Sequence, residues 1–455
     1  MEKWITQELE RTNLGDKRRT KRLIKIVEKL SSKPNATVPE ASETWAATKA
    51  TYDFWSSPYL TPSMITQGHK EATRDRIANQ SVVLAIQDTT ELNYTSHKAL
   101  SGVGYLDSKY ASGLKVHSTL AVSDKGLPLG IIGQYVWARE PKELGKSESR
   151  KQKSTCQKES QRWLDGLKST QELIPEEISV VTIADREADI YDLFATPRRQ
   201  GSEFLIRASQ DRCLEYHQEK LWEMMELVEP QGTMTTTIKR TSKLKEREAT
   251  LTIRYTTLTI SPPQNRSVKE NLVPIELQGI LVTEENPSYQ VEKPITWLLL
   301  TTLPIKTIED VKQYIQWYTY RWLIERYHYV LKSGCGMEKL QLRTAHRIEM
   351  ALATYSIVAW RLLWLTYLAR QKGESSCEKV LEPYEWQSLY ATIHHQIYPD
   401  SSPPTIAQVV LWIAKLGGFL GRKDDGFPGV KVLWRGLTRL DDIAQTWLLS
   451  ESLHS

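Results

Sequence analysis

The chain has 455 residues, of which 40% are hydrophobic and 25% are charged. This composition is typical of a folded globular protein and excludes a disordered one, and the length suits two or three domains. The net charge of +5 is too small to indicate a nucleic-acid partner by itself. The four cysteines are scattered without a CxxC pair, which argues against a zinc site or a disulfide framework and favours a reducing cytoplasm.

The N-terminal residues MEKWITQELE lack the apolar core of a secretory signal, so we expect a cytoplasmic protein without a membrane partner. The longest apolar stretch, Met350–Ala369, has the length of a membrane span but carries Arg361 near its middle. We therefore predict a buried core helix there. The sequence contains no glycine-rich phosphate loop and no GxGxxG motif, so we expect no nucleotide cofactor.

Residues 1–75 are predicted to form a helical N-terminal domain. Leu23, Val27 and Leu30 recur at helical spacing and would form a buried face. The same segment carries a basic stripe at Lys17, Arg18, Arg19, Lys21, Arg22 and Lys25. A solvated surface helix would explain such a stripe, but its density, with only Asp16 nearby to balance it, favours contact with DNA phosphates.

Residues 76–365 are predicted to form an α/β catalytic domain, because short apolar and β-branched runs alternate with helical segments. Its strands are expected at 81–87, 117–123, 129–136, 178–184, 204–208 and 297–302, with a helix within 141–175. Residues about 215–295 are rich in Thr, Ile and Val and are predicted to be an inserted β subdomain. Residues 366–455 are predicted to form a helical C-terminal domain.

Two of the predicted strands run directly into an aspartate, Asp88 and Asp185. Open α/β sheets place their active sites at the carboxyl ends of strands, and two carboxylates side by side would hold a hard divalent cation such as Mg²⁺. Aspartates also end strands because they favour turns and helix caps. Either aspartate alone therefore indicates little.

Ile308–Lys332 contains no Pro or Gly and is followed by Gly334 and Gly336, so one long helix is predicted. At roughly 100° per residue, one narrow stripe of this helix would carry Tyr318, Arg321, Glu325 and Lys332. An exposed ion-pair ladder between Arg321 and Glu325 would explain the stripe. The many aromatic residues of the segment favour a functional face instead.

The two aspartates that follow predicted strands and the glutamate of the predicted helix suit an enzyme that catalyses phosphoryl transfer. Asp88, Asp185 and Glu325 could hold two divalent cations about 3.5–4 Å apart, which would stabilise the attacking and leaving oxygens. Arg321 and Lys332 would bind phosphate groups beside the phosphodiester bond that is cleaved.

The spacing Tyr318-x2-Arg321-x3-Glu325-x6-Lys332 resembles the Tyr-Arg-Glu-Lys signature of the insertion-sequence-four family of bacterial transposases, and most closely its Tn-five-type members. Other segments resemble the same family in the same order: LGDKRRTKRL at 14–23, QDTTELNY at 87–94, DREADIYDL at 185–193, WLLLTTLPI at 297–305 and IAKLGGF at 413–419. The resemblance covers nearly the whole chain.

The resemblance implies a ribonuclease-H-like catalytic core interrupted by the β insertion, with a helical DNA-binding domain before it and a helical dimerisation domain after it. Asp88, Asp185 and Glu325 would be its catalytic triad and would hold two Mg²⁺ ions, for which Mn²⁺ would substitute. The implied activity is cut-and-paste transposition. Both DNA strands are cleaved at terminal inverted repeats through a hairpin, and the 3′ ends are joined to target DNA by a homodimer whose subunits act on each other's bound ends.

The resemblance also implies DNA contacts. Trp297 matches the tryptophan that stacks on a base flipped from the duplex during hairpin formation, although a core aromatic is the alternative explanation. Arg207 matches an arginine near the active site, and the positions that contact the transposon end match Arg18, Arg19 and Arg22. Asp53 departs from the family pattern, because Tn-five-type members have at this position an arginine that approaches DNA.

The sequence is also compatible with two other functions. One is a metal-dependent DNA nuclease of the same fold that cuts without joining strands. The other is a non-catalytic regulator that binds transposon ends, against which the three intact acidic residues argue.

Overall fold

The computed structural model describes residues 3–140, 158–238, 247–264, 272–285, 287, 294–397, 402–423 and 425–454. The chain divides into two compact units. The first unit comprises Met1–Asn79, Thr89–Leu144 and Leu323–Ser455, and the second comprises Gln80–Asp88 and Gly145–Trp322.

The described helices are, in chain order, α1 (Lys3–Leu9), α2 (Lys17–Ser32), α3 (Val38–Ser42), α4 (Trp45–Trp55), α5 (Pro62–Ile77), α6 (Gln161–Leu173), α7 (Tyr191–Ala195), α8 (Leu221–Leu227), α9 (Ile308–Thr319), α10 (Trp322–Tyr329), α11 (Ala345–Gln371), α12 (Pro383–His394), α13 (Ile406–Leu416) and α14 (Val430–His454). The strands are β1 (Val82–Asn93), β2 (Gly104–Tyr105), β3 (Ser112–Ser123), β4 (Pro128–Trp137), β5 (Ser179–Ala184), β6 (Ser202–Arg207), β7 (Gly232–Ile238), β8 (Arg247–Ile260), β9 (Ile275–Glu284) and β10 (Thr296–Thr301).

The helical N-terminal region of the first unit follows from its helix-capping residues. The side chains of Asp16, Thr37, Thr44 and Thr61 each accept a backbone N–H at the start of a helix. Such caps satisfy N–H groups that have no partner within the helix. Leu23, Val27 and Leu30 are buried on α2. The prediction of a helical N-terminal region is therefore confirmed.

The first unit also contains the long helix α11. It is the one described helix that is long and apolar enough to cross a bilayer, and 89% of its most apolar window is buried inside the protein. Burial on this scale is expected of a core helix rather than a lipid-facing one. The indole of Trp360 on this helix stacks under the guanidinium of Arg76 from α5, at 4.2 Å.

In the first unit, β2 and β4 both pair antiparallel with β3. The strand β1 does not end at Gln87, as the sequence predicted, but continues through Asp88 to Asn93. Gly113 of β3 allows the two backbones to approach, since a Cβ there would overlap the carbonyl oxygen of Leu92. The β-branched Thr89 and Thr90 suit this extension.

The second unit is built on a mixed sheet with strand order β1-β5-β6-β10-β9-β8-β7. The pairs β1–β5 and β5–β6 are parallel, and all later pairs are antiparallel. The predicted β insertion therefore continues the same sheet, and its Leu258 and Leu281 share a core with Phe204 and Leu298. The helix predicted within 141–175 is present as α6, while residues 141–157 and 239–246 lie outside the described residues.

The prediction of one continuous helix over 308–332 is wrong. The helix α9 ends at Thr319, where the N–H groups of Tyr320 and Arg321 donate to carbonyls three residues earlier, both at 3.0 Å. Such short bonds tighten the backbone and interrupt the α-helical pattern. After α10 the chain makes a π-helical turn, Val330–Gly334. Tyr318 and Arg321 thus belong to the second unit, whereas Glu325 and Lys332 belong to the first.

Two glycines allow α13 and α14 to cross closely in the first unit. A Cβ at Gly417 would overlap the carbonyl oxygen of Val432, and one at Gly436 would overlap that of Ile413. The contact is therefore between backbones, which only glycine permits at this distance.

We predict that Gly436→Ala destabilises the protein by about 1–3 kcal/mol, because the added methyl group forces the two helices apart. Gly429→Ala is the matched control, since a Cβ at Gly429 meets nothing within 4 Å. Denaturant unfolding of both variants measures the difference. Equal unfolding free energies would show that the close crossing contributes nothing to stability.

Candidate active site

The parallel register of β1 and β5 leads toward Asp88 and Asp185. The paired residues of β1 and β5 differ by 97 in number, from Val82 with Ser179 to Ile86 with Ile183, and the two aspartates differ by the same 97. If this register continued for two more residues, Asp88 and Asp185 would lie side by side, since neighbouring strands are about 4.8 Å apart. Both carboxylates are half-buried.

The backbone after β5 orients Asp185. This residue caps the short 3₁₀ turn Arg186–Ala188, and its Oδ1 accepts the backbone N–H of Glu187 at 2.9 Å. The capping bond satisfies one carboxylate oxygen and fixes the side-chain direction.

Asp189 ties this turn to the loop that follows β6. Its buried carboxylate accepts the backbone N–H groups of Ser209 and Gln210, each at 2.7 Å. The guanidinium of Arg212 donates both to this carboxylate and to the carbonyl oxygen of Asp189. The sequence reasoning did not single out Asp189. Its place in the DREADIYDL segment was the only available signal.

Four of the predicted DNA-binding residues gather in the second unit: Trp297, Tyr318, Arg207 and Arg321. The rings of Trp297 and Tyr318 meet edge to face with centroids 5.4 Å apart. Arg207 donates to the carbonyl oxygen of Thr296 at 3.0 Å. The guanidinium of Arg321 lies 6.0 Å from the Tyr318 ring. Trp297 is half-buried, so it is not a fully enclosed core residue.

Burial and like charge shape the electrostatics of this cluster. Burial raises the pKa of Tyr318, although Arg321 and Arg207 act in the opposite direction. Burial lowers the pKa of Arg207, and the positive charges of Arg186 and Arg321 also act to lower it. The guanidinium groups of Arg207 and Arg321 beside the buried phenol of Tyr318 create a positive potential that suits a phosphate group.

Glu325 and Lys332 lie in the first unit. Glu325 is half-buried on α10. Lys332 lies in the π-helical turn, with its Nζ 3.5 Å from Oε1 of Glu338. Turns of this kind are frequent at functional sites.

The three predicted end-binding arginines on α2 differ in exposure. The side chain of Arg18 is 91% exposed and pairs with Asp16 at 3.0 Å. Arg22 is also exposed. Arg19 is half-buried, donates to the carbonyl oxygen of Leu14 and lies 4.9 Å from the Tyr59 ring. Asp53 is exposed on α4. Of these three arginines, Arg18 and Arg22 are therefore more exposed to solvent than Arg19.

Within the described part of the chain, no group of three His, Cys, Asp or Glu side chains is arranged to hold a metal ion. The aspartate pair still offers the oxygen ligands of a hard cation, because Mg²⁺ is commonly bound by one or two carboxylates with water and phosphate oxygens. The chemistry of Asp88 and Asp185 therefore fits a divalent cation.

Three family models match the chain in order. A transposase DNA-binding model matches residues 1–60, a transposase DDE domain model matches 149–361, and a transposase Tn5 dimerisation domain model matches 357–447. The first match contains the basic stripe of α2, and the second contains Asp185 and Glu325 but not Asp88. A DDE domain implies a dependence on divalent metal in general. Together with the mixed α/β fold, the three matches support a DDE transposase of the Tn5 type, a DNA-binding enzyme that carries its own dimerisation domain.

Proposed function

We propose that the chain is a cut-and-paste transposase of the insertion-sequence-four family. It binds the terminal inverted repeats of its transposon as a homodimer, cleaves both strands through a hairpin intermediate and joins the 3′ ends to target DNA. The observation that supports the proposal is the parallel register of β1 and β5, which leads toward Asp88 and Asp185, in a chain matched by DNA-binding, DDE and dimerisation models.

The proposed catalytic residues are Asp88, Asp185 and Glu325, which hold two Mg²⁺ ions for which Mn²⁺ substitutes. When bound, the metal stabilises negative charge on the attacking and leaving oxygens of phosphoryl transfer. Two carboxylates 4 Å apart would otherwise repel by about 4 kcal/mol at an effective dielectric constant of 20. This repulsion favours cation binding at the aspartate pair. Glu325 is proposed as the third catalytic residue because its spacing from Tyr318, Arg321 and Lys332 matches the family signature.

The remaining residues of the proposed site bind DNA. Arg207, Arg321 and Lys332 neutralise phosphates beside the cut, and Arg207 and Arg321 belong to the cationic cluster around Tyr318. Trp297 offers an aromatic face to a base displaced from the duplex, which offsets part of the lost stacking energy.

End binding is assigned to α2, through Arg18, Arg19 and Arg22. Asp53 repels phosphate, so this position does not contact DNA as an arginine there would. We propose domains at 1–75, 76–365 and 366–455 for end binding, catalysis and dimerisation, with each subunit acting mainly on its partner's DNA end in the cytoplasm.

Strand transfer tests the proposed function. Inverted repeats in the DNA that flanks the gene supply the substrate, and pre-cut ends are incubated with plasmid and Mg²⁺. We expect joined products. Cleavage products without any joined species would indicate a nuclease, and end binding without metal-dependent cleavage would indicate a regulator.

We predict that Glu325→Gln lowers cleavage by roughly 10⁴-fold or more, as expected when one member of a catalytic unit is removed. Binding of end DNA in gel shifts should change little, because the substitution is nearly isosteric. Glu309→Gln, which alters an exposed glutamate on α9, is the control and should cleave normally. Loss of end binding in Glu325→Gln would assign Glu325 a structural role.

We predict that Trp297→Ala impairs hairpin formation roughly tenfold more than first-strand nicking, since one base–aromatic stack contributes about 1–3 kcal/mol. Denaturing gels resolve the nicked and hairpin species over time. Trp297→Phe keeps an aromatic face and should recover much of the hairpin product. Equal loss of both steps in Trp297→Ala would refute the stacking role.

A further inference from the structure

The helix α6 contacts both segments that carry the aspartates of the second unit. At Gly166 the helix lies against Gln87, the buried residue before Asp88, because a Cβ there would be 2.5 Å from the Gln87 side-chain oxygen. At its first turn, Arg162 reaches the turn that follows Asp185. One helix therefore contacts a residue close to each aspartate, Gln87 before Asp88 and Glu187 after Asp185.

Arg162 is held in a single orientation. Its Nη2 lies 2.6 Å from Oε2 of Glu187, and its Nη1 donates to the carbonyl oxygen of Glu159 at 2.8 Å. The guanidinium also stacks over the ring of Trp163 at 5.2 Å. Only 10% of the Arg162 side chain is exposed. An arginine this enclosed has lost most of its conformational freedom, so it constrains the glutamate with which it pairs.

Glu187 passes this constraint to Asp185. The side chain of Glu187 is 59% exposed and pairs with Arg162. The backbone N–H of the same residue donates to Oδ1 of Asp185 at 2.9 Å. The position of this N–H sets the direction of the Asp185 carboxylate. Groups that orient a metal ligand in this way commonly change metal affinity by 10–100-fold when they are removed.

The docking of α6 does not depend on Arg162. Trp163 and Leu167 anchor the helix in the core of the second unit, with relative exposures of 1% and 0%. Loss of the Arg162 side chain should therefore leave the helix in place while releasing Glu187.

We propose that Arg162 is a positioning residue that acts through Glu187 to hold the Asp185 carboxylate in the orientation that binds a divalent cation. The inference rests on the proposed function, because it requires Asp185 to be a metal ligand.

The test measures Mn²⁺ affinity of the full-length chain without DNA, by electron paramagnetic resonance of the free ion. We expect Arg162→Ala to weaken Mn²⁺ binding about 10–100-fold and Arg162→Lys to recover part of the loss. Glu187→Gln should weaken binding similarly. The double variant should be no weaker than either single variant, because residues in one chain of contacts are not additive.

Arg198→Ala is the matched control. Arg198 also pairs with a glutamate of the second unit, Glu203, at 3.1 Å, and its variant should keep wild-type Mn²⁺ affinity. Asp185→Asn should abolish the binding.

Three results would overturn the inference: wild-type Mn²⁺ affinity in Arg162→Ala, additive losses in the double variant, or weaker metal-free DNA binding with unchanged Mn²⁺ affinity, which would make Arg162 a phosphate contact. Failure of the proposed function is distinguishable, because Asp185→Asn would then leave Mn²⁺ binding unchanged.

Discussion

The parallel pairing of β1 with β5 is the constraint on which the site of the second unit depends. Side chains alternate between the two faces of a strand, so a slip of one residue would turn Asp88 away from Asp185. Apolar residues of both strands, among them Val83, Ile86, Val180 and Ile183, are buried. A slip would disrupt the close packing of these side chains, so their packing resists it. The same hydrophobic core that stabilises the second unit therefore sets the position of both carboxylates.

Around these two residues, the second unit carries both kinds of charge that the proposed phosphoryl transfer would use. Asp88 lies within β1 and Asp185 directly follows β5, while the guanidinium groups of Arg207 and Arg321 act on Tyr318. Asp189 joins the turn after β5 to the loop after β6, so the segment that carries Asp185 is tied to the strand that carries Arg207. Because the opposite charges are placed locally, the small net charge of the whole chain says little about its affinity for DNA.

Periodicity and capping signals were sufficient to predict the helical ends of the chain, most strands and the place of Asp185 after β5. They failed where the backbone depends on hydrogen bonds that residue spacing does not reveal. The extension of β1 past Asp88 depends on pairing within the sheet, and the break at Tyr320–Arg321 depends on short i to i−3 bonds that spacing does not reveal. The sequence did not predict a role for Arg162, because its partner Glu187 is distant along the chain. The role of Glu325 rests on its spacing and stays a prediction.

The most direct measurement is anomalous scattering from crystals of the protein soaked with Mn²⁺. We expect a peak liganded by carboxylate oxygens of both Asp88 and Asp185, at about 2.0–2.3 Å, the range for a divalent ion of this class. Substitution of either aspartate by asparagine should remove that peak. An ordered ion bound elsewhere in the second unit, with neither aspartate among its ligands, would contradict the account.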